Sequence, residues 1–140
     1  MSHLKGIGKA LAMKNRHGIE AAADSFAWIA ALVTATVFRY EFALDRIDVA
    51  GLFTFAPLIA LLHFVAGWGV GLYNGRWRFG SFDEVAALAK AAAITSFGAL
   101  GLNLLVSTSA ASQFVPRTVP LVAGAMALVF MSSVRYVWRL

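Results

Sequence analysis

Cysteine is absent from the 140 residues, which excludes a disulfide framework, a thiolate nucleophile and every cysteine-based zinc motif. Charge is scarce: Lys, Arg, Asp and Glu make up 14% of the chain, against roughly 25% in a soluble domain. Acids are the scarcer sign, seven against twelve basic residues. Phosphate-binding loops are missing too. Gly67, Gly69 and Gly71 do not complete G-x-G-x-x-G, because Asn74 stands at the third position, and they close an apolar run where a nucleotide fold would need a preceding strand. The three His and seven acids never fall at metal-ligand spacing. Basic residues do not alternate with aromatics along a polar face, which sets nucleic acid aside as a partner. No catalytic, cofactor-binding or metal-binding residue can be named.

What the chain does have is apolar length. It is 60% hydrophobic, with a mean hydropathy of +0.74. A membrane helix needs about 20 apolar residues, and four runs qualify. The sequence predicts an all-α integral membrane protein, a four-helix transmembrane bundle with helices near 20–40, 49–72, 83–106 and 117–137. Residues 1–18 form a basic cytoplasmic segment, and 19–140 the four-helix domain. In the segment, Leu4, Ile7 and Leu11 share one helical face opposite Lys5, Lys9 and Arg16, while Gly6 and Gly8 weaken a helix. A surface-lying helix and a disordered basic tail both fit. A basic start before an apolar run also fits a signal peptide, but three more spanning runs follow.

Orientation follows from a count. With the N-terminus inside, the inner side carries Lys5, Lys9, Lys14, Arg16, Arg76, Arg78, Lys90, Arg135 and Arg139, and the outer side Arg39, Arg46 and Arg117. Basic residues favour the cytoplasmic side, so both termini are expected there.

Few polar residues enter the spans. Only 14 residues, Ser25 to Phe38, are free of charge in the first, so that helix must also take in Asp24. A carboxylate at this depth needs a partner. Asp24 lies near the end of the span, which favours an ion pair over an ion or proton site, with Arg135 or Arg139 the first choices and Arg76 or Arg78 the second. Pro57 is expected to kink the second helix. His63 has no titratable partner at matching depth and reads as hydrogen-bonded inside the bundle more readily than as a proton relay. The alanine-rich third helix, with Gly98 and Gly101, suits close packing, and such small-residue faces also suggest a homodimer. Asn103 is polar near its far end.

The stretch Gly71–Glu84 is the densest in signals. Gly67 and Gly71 are spaced as G-x-x-x-G, which suits close helix approach. Tyr73, Trp77 and Phe79 suit the membrane interface, and Arg76 and Arg78 its cytoplasmic side. Ser81 and Glu84 fit a capping box at the start of the third helix. One reading is an ordinary basic loop. The other is a rigid platform in which Trp77 packs on the bundle, Ser81 caps the helix, and Arg76 or Arg78 meets lipid phosphate or an acid such as Asp83 or Glu84. Pro116 and Arg117 precede the fourth helix, where proline is welcome in the first turn.

Three of these segments resemble one family. Asp24 through Arg39 is similar to its opening helix. Gly71-Leu-Tyr-Asn-Gly-Arg-Trp-Arg-Phe-Gly-Ser-Phe-Asp-Glu84 is similar to its G-x-Y-x-x-x-W-R-[YF]-x-S-x-x-[DE] loop. Val115-Pro-Arg-Thr-Val119, with Arg135 and Arg139, resembles its P-R-[ST]-V start of the fourth helix and basic exit. The family is the CapD-like polysaccharide biosynthesis proteins, the membrane-bound nucleotide-sugar 4,6-dehydratases and epimerases of bacterial capsule, O-antigen and protein-glycan synthesis. The resemblance covers about Ala21 to Leu140. It implies a membrane anchor in the bacterial inner membrane, near lipid-linked glycan machinery. The activity and its NAD(P) would belong to a downstream cytoplasmic domain that has no counterpart in this chain. Two alternatives stand: the membrane domain of a polyprenyl-phosphate sugar-phosphate transferase, and a stand-alone transporter or lipid-sugar flippase subunit.

Overall fold

The computed structural model describes residues 2–73, 82–109 and 114–137, with side chains from residue 18 onward and to residue 107 in the third helix. Four helices carry the fold: α1, Ser2–Arg39; α2, Val49–Gly69; α3, Phe82–Ser109; α4, Val119–Val137. Among the described residues there is no strand. All four helices are long and apolar enough to cross a membrane, with α1 contributing Gly18–Arg39. The backbone of α1 is helical from Ser2 onward, so Gly6 and Gly8 do not end it.

Each helix packs on its sequence neighbours, and α1 closes the ring against α4. The start of the α1 span, the end of α2, the start of α3 and the end of α4 share one end of the bundle, since Asp24 and Glu84 both bond Arg135. At the other end Asn103 of α3 bonds Val115 ahead of α4. The bundle is therefore up-down-up-down.

Many of the interior positions carry small side chains. Ala27, Ala31 and Ala35 line α1, Ala87, Ala91, Ala92 and Ala99 line α3, and Ala123 and Ala127 line α4, all buried. Small residues let helix backbones approach closely, which is how helices associate where lipid removes the hydrophobic drive. Large side chains fall on both sides: Trp28, Leu32, Phe55 and Ile59 are fully buried, whereas Phe26, Phe53, Phe97, Trp68 and Leu105 are each more than 65% exposed. Apolar surface spread all round a bundle is what a hydrocarbon solvent requires.

The helix ends explain two sequence signals. Gly71 has φ 75°. Leu72 N–H donates to the Gly67 carbonyl at 2.8 Å and Gly71 N–H to that of Trp68 at 3.1 Å, the Schellman closure in which a left-handed residue ends a helix. Gly67 makes room for a ring, since a Cβ there would lie 2.7 Å from Tyr73 Cε2. The expected G-x-x-x-G helix contact is thus corrected: both glycines serve the turn that folds Tyr73 back on α2. The end of α1 closes in the same way, with Phe42 N–H on the Val37 carbonyl at 3.0 Å and Glu41 N–H on that of Phe38 at 3.1 Å. Here Glu41 takes the left-handed position, φ 51°, at a steric cost glycine would avoid.

After a single 3₁₀ turn at Leu44–Arg46, Asp48 caps α2, its Oδ1 accepting from Gly51 N–H at 3.0 Å. Pro57 lies inside α2. Helix α3 runs three residues past its expected end near 106, and α4 begins at Val119, two past its expected start at 117. Val119 N–H donates to the Pro116 carbonyl at 2.9 Å, so Pro116 sits in the turn ahead of the helix and Pro120 takes a place in the first turn, where no N–H is missed.

Candidate functional site: a four-helix polar cluster

At the end of the bundle shared by the start of the α1 span and the end of α4, each helix or its terminal turn delivers one polar side chain. Asp24 sits seven residues into the apolar part of α1, about 9 Å along the axis at 1.5 Å per residue. Tyr73 is turned inward by the Gly71 closure. Glu84 lies in the first turn of α3 and Arg135 in the last turn of α4, where their charges complement the helix dipoles.

Arg135 is the hub. Its Nη2 donates to Asp24 Oδ2 at 2.8 Å, and its Nη1 to Glu84 Oε1 at 3.2 Å. The two nitrogens of one planar fork thus tie α4 to α1 and to α3. The Tyr73 hydroxyl donates to the same Asp24 oxygen at 3.1 Å. The side chains of Asp24, Glu84 and Arg135 are 4%, 7% and 13% exposed. Burial, and then the negative charge of Asp24, push the Tyr73 phenol above its ordinary range, so it keeps its proton and donates it. Glu20 also bears on this cluster electrostatically.

The arrangement binds helices together. A guanidinium and a protonated phenol satisfy the buried carboxylates, and neither is a base. Among the described residues, no three His, Asp or Glu side chains are grouped to hold a metal ion.

Of the residues singled out in the sequence, Asp24, Tyr73 and Glu84 meet here. The ion pair expected for Asp24 is with Arg135. Tyr73 was expected among rings at the membrane interface, but it is buried at 7% exposure. The ring stacks on Phe64 at 6.0 Å between centroids. The bond from Glu84 to Arg135 was not anticipated, because the capping-box pattern gave this acid a local role. Arg76, Trp77, Arg78 and Ser81, with Arg139, lie outside the described residues. Gly71 enables the site through the left-handed turn it permits.

His63 lies deeper in the bundle, fully buried, with Nδ1 3.1 Å from Thr95 Oγ1. This is the hydrogen-bonded histidine the sequence suggested. Pro116 and Arg117 belong to the opposite end. Pro116 lines a cleft of about 280 Å³ with Thr36, Tyr40, Ile47, Asp48, Phe114 and Val115, and Arg117 is exposed. Asn103 brackets Val115 there, its Nδ2 donating to the Val115 carbonyl at 2.8 Å while its Oδ1 accepts from Val115 N–H at 3.4 Å. The sequence marked Asn103 as polar but not its partner, twelve positions on. Comparison of the chain with protein-family models, with curated proteins and with solved structures finds no match.

Proposed function

We propose that this chain is the membrane-anchoring domain of a bacterial polysaccharide or glycan biosynthesis protein, resembling the CapD-like group. Its cytoplasmic part would be an NAD(P)-dependent UDP-sugar 4,6-dehydratase or epimerase. One observation supports this above the others. Asp24, the Gly71–Glu84 loop and Arg135 come from the three separate segments that carry the resemblance, and members of all three meet in one buried cluster. A pattern dispersed over more than a hundred residues then has a common physical reason.

In this reading the cluster faces the cytoplasm, as the basic-residue count favours, and braces the face on which a catalytic domain docks. The bilayer is the first partner, and the inner membrane its place. Reporter fusions after Gly18 and after Leu140 should both read cytoplasmic, and a periplasmic signal from either overturns the orientation. The reading frame beyond Leu140 tests the function. A strand followed by G-x-G-x-x-G supports the dehydratase anchor. A membrane-dipping helix points to the transferase, and a stop codon to a stand-alone protein.

A further inference from the structure

Midway along the bundle a second polar group has its own logic. Trp28 of α1 and His63 of α2 are both 0% exposed, with ring centroids 5.5 Å apart and planes tilted by 43°. The Thr95 hydroxyl donates to the Ala91 carbonyl at 2.8 Å. A hydroxyl has one proton. With that proton committed, Thr95 turns a lone pair toward His63, 3.1 Å from Nδ1. Both Thr95 contacts are satisfied together when Nδ1 carries the ring proton, which makes Nε2 the acceptor.

Among the described residues, Nε2 has no hydrogen-bond partner, and neither has the indole N–H of Trp28. They sit on neighbouring rings, one an acceptor and the other a donor. Both lie at a depth where lipid offers no hydrogen bonds and an unpaired polar atom is expensive. The pair also defines what could satisfy it. An indole N–H has no lone pair for a cation, and a bare imidazole nitrogen has no proton for an anion. Only a neutral molecule that both accepts and donates fits both atoms. Close packing nearby limits its size: α4 approaches so closely at Gly124 that a Cβ there would collide with Ser96 Oγ and lie 3.4 Å from Trp28 Cη2.

We propose that Trp28 and His63 form a binding site for a single water molecule, which accepts from the indole N–H and donates to His63 Nε2. Such a buried water is held by two or more polar partners and is part of the structure. The site bridges α1 and α2, while Thr95 of α3 sets the tautomer that makes Nε2 an acceptor.

The test is solid-state NMR on the full 140-residue chain in lipid bilayers, with ¹⁵N-labelled His and Trp. The expected result is a His63 ring protonated at Nδ1 and unprotonated at Nε2, together with magnetisation transfer from water to the Trp28 indole proton. A proton on Nε2, or no transfer from water to that proton, overturns the proposal. Variants extend it. Thr95→Val removes the acceptor and should release the tautomer, so that a population protonated at Nε2 appears. Thr95→Ser keeps the hydroxyl and should retain the wild-type pattern. The wild-type spectra decide the matter even if the valine variant does not fold.

Discussion

Tyr73 shows how much a single hydroxyl carries. Its ring fills the space left by Gly67, and its proton goes to a carboxylate whose other side-chain partner among the described residues is Arg135. Tyr73→Phe keeps the packing and removes the donor. A hydrogen bond to a charged group contributes about 1.5–3 kcal/mol, and a loss of that size is expected in denaturant titrations of the detergent-solubilised protein. Unchanged stability would mean that Arg135 alone satisfies Asp24. The sequence made only part of this legible. The need of Asp24 for a cation follows from its depth, and Arg135 was in reach because it ends a helix at the same surface. The role of Tyr73 was hidden, because an aromatic residue just past a helix equally suits the headgroup layer. Whether the turn throws the ring inward depends on the left-handed Gly71, whose spacing from Gly67 mimics a helix-contact motif.

Between elements, α4 approaches α3 and α1 closely at Gly124. A side chain there would collide with Ser96 Oγ, and Ser96 is itself fixed by donating to the Ala92 carbonyl at 2.8 Å. Gly124→Ala should destabilise the bundle by about 1–3 kcal/mol, the usual cost of overpacking, and Ser96→Gly in the same chain should restore part of it. A double-mutant cycle on thermal unfolding measures the coupling, expected to exceed roughly 0.5 kcal/mol for residues in contact. Additive losses would place the strain elsewhere. The helices themselves were readable, since each is an apolar run bounded by charge or proline. Their exact ends were less so: α3 runs on to Ser109 because Ser, Thr and Ala can continue a helix as easily as leave it. The Asp48 cap was within reach, as an Asp three residues before Gly51 at the head of an apolar run is a start signal. The Asn103 clamp on Val115 was not, because nothing in the sequence specifies which carbonyl a lone amide will find.

Across the whole molecule, the guanidinium of Arg135 holds three helices in one arrangement. Arg135→Gln leaves two carboxylates buried without that cation, and removing one member of a buried ionic group typically costs about 3–5 kcal/mol. Asp24→Asn should cost less, since an amide can still accept from Tyr73. Asp24→Asn combined with Arg135→Gln should be less destabilised than the sum of the two single variants. Resistance to unfolding in mixed micelles orders the three, and strict additivity would show that the ion pair does not couple α1 to α4. The four-span architecture could be read from hydropathy alone, whereas the convergence of four helices on one cluster needed the fold, because 111 positions separate Asp24 from Arg135. That separation bears on biosynthesis. A ribosome delivers Asp24 first, Glu84 next and Arg135 last, as chains are made from the N-terminus. Both acids therefore reach the membrane before the cation they share exists. Until α4 arrives, Asp24 of α1 and Glu84 of α3 lack the guanidinium they share in the folded bundle, and a carboxylate such as Asp24 is costly to move into the lipid interior. The last helix to emerge is therefore the one that completes the shared ion cluster, so a nascent chain that ends before α4 is expected to assemble less firmly than the full bundle.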